Sequence, residues 1–252
     1  MSDFRDHIVT SIEALERIYG EPYGPSIAKE TDRITTHYRA FIEAAPFFAL
    51  ATTGPEGLDC SPRGDAPGFV RIHDEKTLLV PDRRGNNRID SLRNILSDPR
   101  VALLFLIPGC GETIRINGHA AISTDPELCA SFAVNEKAPR AVLIVSVDRI
   151  FYQCAKAIVR SKLWDPSRHV DRKSLPSNGT ILAELTDGKL GGEAHDRAAP
   201  ERLKATLYYA CSLRPRRRGH CAGAAPDHPH ARRSCCMCGG TGAVTRIGAR
   251  FL

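Results

Sequence analysis

No apolar run in this 252-residue chain is long enough to cross a membrane; the longest, 101–108 and 141–147, fall far short of the roughly 20 residues a spanning helix needs. The N-terminal sequence MSDFRDH mixes charges of both signs and has no apolar core ahead of a cleavage site, so no secretory signal is expected. The reading is of a soluble, cytoplasmic protein without a membrane partner. Cysteine pairs are also missing. Residues 1–208 hold only Cys60, Cys110, Cys129 and Cys154, none in a Cys-x-x-Cys pair, and the chain's total of 9 is odd. That argues against a disulfide framework or a metal site and for buried free thiols in a reducing compartment. No Ser-His-Asp set, Cys-His pair or carboxylate dyad stands out, and His37, His73, His119 and His195 are isolated. No side chain can therefore be named as catalytic acid, base or nucleophile. Cys110, between two glycines, has no base beside it, and Trp164 reads as a packing anchor.

What is present is an ordinary globular balance, 42% apolar and 25% charged, enough to bury a core. The formal net charge of +6 is unevenly placed. Residues 209–252 carry 8 Arg and no Lys against Asp227 alone, a net of +7, which leaves 1–208 at −1. The body thus has no electrostatic case for nucleic acid. The tail has almost no apolar periodicity. A zinc site can be assembled from His220, Cys221, His228, His230, Cys235, Cys236 and Cys238, but the paired knuckles at fixed loop spacing are absent. A basic RNA-binding tail would want interleaved aromatics. A disordered extension, from read-through or a shifted frame, fits the composition best.

The rest of the chain changes texture twice. Residues 4–19 place Ile8, Ile12, Leu15 and Tyr19 at helical spacing before Gly20, and after a turn at 22–25 a second helix is expected over 32–44, with Ile34, Tyr38, Phe41 and Ile42 inward. Short strands follow at 47–53, 58–61, 68–72, 77–81, 101–107, 113–123 and 141–152, with helices at 88–97, 126–134 and 154–164. Two hairpins without intervening helices favour a closed or nearly closed antiparallel barrel over a doubly wound sheet. Residues 166–208 read as loop-rich with a short helix at 181–185. The expected divisions are a helical segment, 1–45, packed on a barrel, 46–165, then the loop-rich extension and a tail, 209–252.

The densest polar cluster, 81–88, lies between a strand and a helix with Ile89, Leu92, Ile95 and Leu96 on its apolar face. Asn86 or Asn87 suits the N-cap, with Asp90 bonding back into the first turn. Arg83, Arg84 and Arg88 then crowd a helix start whose dipole already repels cations, which makes sense if an anion such as phosphate sits there. A solvated turn with a good cap explains the cluster equally well. Arg63 in Ser61-Pro62-Arg63-Gly64-Asp65 is a second cationic point, held by Pro and Gly. Lys156 and Arg160 stand one turn apart on one helix face, which is mildly unfavourable unless an anion lies between them. Arg115 and Asn117 share the strand face opposite Ile114 and Ile116.

In this order, the strings 61–65, 81–88, 104–109, 112–118 and 154–164, with Gly191-Gly192-Glu193, resemble the pyridoxamine 5′-phosphate oxidase-like flavoproteins, in particular a bacterial subgroup of probable FMN-dependent enzymes. The resemblance covers roughly residues 5–208. It implies a split β-barrel, mainly antiparallel β with flanking helices, that forms a homodimer with FMN in a cleft between subunits. The phosphate would be held by Arg63, Asn87 and Arg88, with Ser61 and Asn86 nearby and Pro81 and Asp82 lining the pocket through their backbone. Lys156 and Arg160 would reach the site from the second subunit, and Arg115 would stabilise the reduced ring near its pyrimidine end. The implied activity is FMN-dependent hydride transfer to or from a small molecule, with NAD(P)H a possible electron donor. The alternatives are the same barrel with deazaflavin or haem, and a flavin-binding sensor without turnover.

Overall fold

In the computed structural model, residues 3–207 are described; the tail and its cysteines and histidines lie outside them. Seven strands form one antiparallel sheet: β1 (Phe47–Gly54), β2 (Gly57–Gly64), β3 (Arg71–Ile72), β4 (Thr77–Pro81), β5 (Arg100–Leu106), β6 (Thr113–Ser123) and β7 (Val142–Gln153). Their spatial order is β2-β1-β5-β6-β7-β4-β3. Strict alternation drives the register: Phe48, Leu50 and Thr52 of β1, Val101, Leu103 and Phe105 of β5, and Ile114 and Ile116 of β6 all point into one core. The sheet curls on itself. Phe48 near one edge stacks at 5.9 Å on Phe69, just before the strand at the opposite edge, and packs at a tilt on Phe105 with ring centres 4.9 Å apart. β6 and β7 slip register at Asn117/Gly118, where Asp148 is the extra residue. A side chain at 118 would run into the Ser146 carbonyl, so glycine lets the strands close up and bend there.

Helices flank this barrel. α1 (Ile12–Tyr19), α2 (Gly24–Ala28) and α3 (Thr36–Ala44) precede β1, and α4 (Asp90–Ser97) follows β4. α5 (Pro126–Ser131) lies between β6 and β7, and α6 (Lys156–Ser161), α7 (Asn178–Leu185) and α8 (Gly192–Thr206) complete the described chain. Thr35 caps α3, its Oγ1 accepting from Tyr38 N, and the helix, which starts at Thr36 rather than 32, buries Tyr38 and Ile42, with Ile34 buried just ahead of the cap. α4 buries Ser91 and Ile95 against β1 and β2. The fold is thus mainly antiparallel β with flanking helices, as expected.

Several expectations need correction. The helix read over 4–19 is a 3₁₀ turn at Phe4–His7 followed by α1, and Ile8, Ile12, Leu15 and Tyr19 are exposed in the chain by itself. Of the four body cysteines only Cys129 is buried. The loop-rich stretch contains α8, fifteen residues long despite Pro200 in its interior. What holds it is tertiary: Asp196 on α8 accepts from Ser177 Oγ and from Gly179 N at 2.8 Å, closing the first turn of α7.

Candidate functional site

β2 alternates along 59–63, so Asp59, Ser61 and Arg63 project to one side while Cys60 and Pro62 project to the other. That side faces the segment joining β4 to α4. Between them opens a cavity of about 1020 Å³ lined by Ser61, Arg63, Pro81, Asp82, Asn86, Asn87 and Arg88. Seven of the ten residues expected at a cofactor site are thus brought to one cavity. Its far wall is Lys137, Arg140 and Ala141, with Ala205 and Thr206 from the end of α8. Phe69, Leu92 and Ile122 supply apolar surface.

The other three are elsewhere in the chain. Arg115 lies on the outer side of β6, its guanidinium 5.7 Å from the Phe151 ring centre. It is exposed on the face opposite Ile114 and Ile116, whereas Arg63 shares the inner face of its partner Phe48, so the sheet itself stands between the two arginines. Lys156 and Arg160 lie on α6, beyond the far end of β7, and are exposed. No single chain brings these three to the cavity with Arg63.

The start of α4 is built otherwise than the sequence suggests. Neither asparagine caps it: Ile89 occupies the N-cap with φ 55°, and no side chain closes the turn. Asn86 Oδ1 instead accepts from Arg88 N at 3.1 Å, and Asp90 accepts from Arg88 Nε at 2.7 Å rather than bonding back into the helix. Asn87 (φ 63°) and Ile89 are both left-handed, with Arg88 between them at the opposite sign. A β-branched residue in this conformation is a strained outlier, costing on the order of 1–3 kcal/mol.

Arg83 is not part of the cationic wall in charge terms. It donates to Asp65 at 2.6 Å, both side chains being largely buried, and to the Phe132 carbonyl at 2.8 Å. It ties the segment after β4 to the β2–β3 connection and to the end of α5. With Arg83 matched by Asp65, the lining cations Arg63, Arg84, Arg88, Lys137 and Arg140 face the carboxylates Asp59, Asp82 and Asp90. The lining is thus richer in cations than in carboxylates, the sign of balance that a phosphate monoester of charge roughly −1.5 to −2 asks for. Burial pushes the Asp82 carboxyl above its ordinary range, against the pull of Arg63 and Arg140. The volume lies at the upper end of the about 300–1,000 Å³ of small-molecule sites. A phosphorylated ring of FMN's size and charge therefore fits this donor set.

Asp59, Ser91, Lys137 and Arg140 escaped the sequence reading. Asp59 had a signal, its period-two spacing from Ser61 and Arg63. Ser91 had a weaker one, a small hydroxyl one turn before Ile95 on the buried helix face. Lys137 and Arg140 come from a loop shaped by left-handed Asn135 and Glu136, which no periodicity announces. Among the described residues no group of three or more His, Cys, Asp or Glu side chains gathers where a metal ion could be held. Nor is any helix among them long and apolar enough to cross a membrane. Trp164 donates from its indole nitrogen to the Cys110 carbonyl at 2.7 Å, the anchoring expected of it.

A curled antiparallel barrel with a cation-rich cavity between β2 and the start of α4 is the frame of a split-barrel fold. Residues 34–154, a little under half of the chain, match the family model of pyridoxamine 5′-phosphate oxidase. Lys156 and Arg160 fall outside the matched stretch. Similar solved structures include HupZ of Group A Streptococcus (24% identity, 48% of this chain and 94% of that one, TM-score 0.39). A general stress protein 26-related protein of the pyridoxinephosphate oxidase family from Clostridium acetobutylicum is similar at 12% identity, 47% and 86% coverage and TM-score 0.37. An F420 reductase is similar at 20% identity, 48% and 98% coverage and TM-score 0.34. No curated protein sequence matches the chain.

Proposed function

We propose that this protein is an FMN-dependent oxidoreductase of the pyridoxamine 5′-phosphate oxidase-like class, acting on a small molecule in a cleft shared by two subunits. The observation that carries the reading is the convergence of Ser61, Arg63, Asn87 and Arg88 on one cavity at the start of α4. When bound there, FMN supplies two-electron hydride chemistry. Arg63 and Arg88 hold its phosphate by charge-assisted hydrogen bonds, with Asn87 beside them. Pro81 and Asp82 line the pocket through their backbone, while Phe69, Leu92 and Ile122 exclude water. Arg115, Lys156 and Arg160 come to the cleft from the partner subunit, since in their own chain Arg115 is on the outer face of the sheet and the other two lie on α6, beyond the end of β7 that is remote from Pro81. In that position Arg115 favours the anionic reduced ring. The domain organisation follows: 46–165 builds the flavin-binding barrel, 1–45 and 166–208 flank it, and 209–252 is dispensable for flavin binding.

The test is to purify the full chain and identify any bound chromophore. A yellow protein releasing FMN, and consuming NADPH or NADH in the presence of an acceptor, is expected. A released deazaflavin or haem overturns the cofactor. Bound FMN without turnover under any donor makes the protein a flavin-binding module.

A further inference from the structure

The anion site at the start of α4 already contains an anion. Asp59 Oδ2 accepts from Ser91 Oγ at 2.6 Å and from Ser61 Oγ at 2.9 Å, and the two hydroxyls lie 3.3 Å apart. Ser91 is only 3% exposed, so its proton has no solvent alternative. The hydrogen bond from Ser91 foremost, then that from Ser61 and the charge of Arg63, hold the Asp59 carboxyl below its ordinary range. Arg88 feels the same carboxylate. Asp59 thus sits amid two hydroxyls, two guanidinium groups and a helix N-terminus, the set that the proposed phosphate needs.

The proton count makes the two anions exclusive. A serine hydroxyl has one proton to give. With both given to Asp59, only lone pairs are left for the cavity, and a dianionic phosphate is an acceptor alone. For Ser61 or Ser91 to serve a phosphate, each must turn away from Asp59, and the incoming dianion must also stand close to a carboxylate.

We propose that Asp59 is the resident counter-anion of the phosphate subsite, keeping it closed to free small anions and yielding its two hydroxyls only to a phosphate tethered to a larger ligand. This rests on the FMN reading of the cavity and adds a specificity-determining residue to it. Free phosphate, with no second set of contacts, does not displace a covalently tethered carboxylate. A phosphate carried on a ring and a polyol chain gains contacts elsewhere in the cavity and does.

The experiment uses full-length protein, the Asp59→Asn variant, and Asp59→Ser in case the first fails to fold. Binding of FMN and of riboflavin is followed by flavin fluorescence, and protection against thermal unfolding is measured with inorganic phosphate. The expected result is FMN binding at least about tenfold tighter in the variants, riboflavin unchanged, and phosphate raising Tm in the variants but hardly in the wild type. Weaker or unchanged FMN binding with riboflavin unaffected overturns the proposal, for Asp59 then organises the subsite rather than competing for it. If no form binds any flavin, the FMN reading fails, and the phosphate arm still decides. Protection confined to the variants supports the resident anion, and equal protection or none overturns it.

Discussion

Two residues of the cavity make opposite demands on charge, and each can be tested alone. Arg63 is the one cation that β2 carries into the site. A hydrogen bond to a charged partner is worth about 1.5–3 kcal/mol, so Arg63→Ala should weaken FMN binding by about ten- to a hundredfold. Riboflavin, which lacks the phosphate, should bind as before, and calorimetric titration with both ligands separates the two outcomes. Equal losses for both would move Arg63 from the phosphate to the ring. Asp82 is held above its ordinary range chiefly by burial, with Arg63 and Arg140 opposing. A carboxyl raised in the folded state favours folding while it is protonated and loses that contribution as pH rises through its folded pKa. Above its folded pKa Asp82 is therefore a charged group in a partly desolvated place, and Asp82→Asn should raise Tm there. The gain should shrink as pH falls through the raised folded pKa toward the ordinary carboxylate range, where wild-type Asp82 is itself neutral. A gain independent of pH would show that the amide acts by hydrogen bonding instead.

The elements that build the cavity depend on a few joints. The Arg83–Asp65 ion pair joins three segments of chain around it, and Asp65 has only 4% of its side chain exposed. Removing one partner of a buried pair leaves the other charge uncompensated, which costs about 3–5 kcal/mol. Arg83→Ala should show that loss in urea unfolding, and flavin affinity should fall with it as the segment after β4 loosens. Gly118→Ala drives a methyl group into the Ser146 carbonyl at the β6–β7 bulge, and overpacking of this kind costs typically 1–3 kcal/mol. The same elements divide what the sequence could and could not tell. β4 and β6 were legible residue for residue, since apolar alternation and flanking turns are local facts. The gathering of Ser61 with 81–88 was legible only through the family pattern, because it depends on β2 and the β4–α4 segment meeting in space. α8 was hidden because Gly191, Gly192 and Pro200 all argue locally against a helix, while the Asp196 contacts that hold it lie on another element. The cap of α4 was misread for a like reason. Asn86 and Asn87 have the right chemistry for an N-cap, but the loop uses them to shape itself around Arg88 and leaves the N-cap to a strained isoleucine.

At the scale of the whole molecule, the chain presents half of what the proposed site needs. Arg63 and Arg115 belong to opposite faces of the sheet, Arg63 on the face of its partner Phe48 and Arg115 on the face away from Ile114 and Ile116, and both fall within the stretch that matches the family model. The apolar residues of α1, Ile12, Leu15 and Ile18, are exposed in the single chain, as are Ile8 and Val9 before it, so the N-terminal segment has surface to give to a second copy. If each flavin site takes Arg63 from one subunit and Arg115 from the other, two crippled proteins can repair each other. Arg63→Ala and Arg115→Ala homodimers each lack one contact at both sites. In a mixed dimer one site receives both wild-type arginines and the other receives neither. Co-expressing the two variants under different affinity tags and isolating the doubly tagged species should therefore recover wild-type affinity at one flavin per dimer, with no tight binding at the second. Were both arginines to serve the same site from the same chain, every site in the mixed dimer would stay defective, and titration would find no wild-type class at all. A monomer at the 27.6 kDa of one chain would remove the shared cleft altogether, and with it any route from Arg115 to the ring.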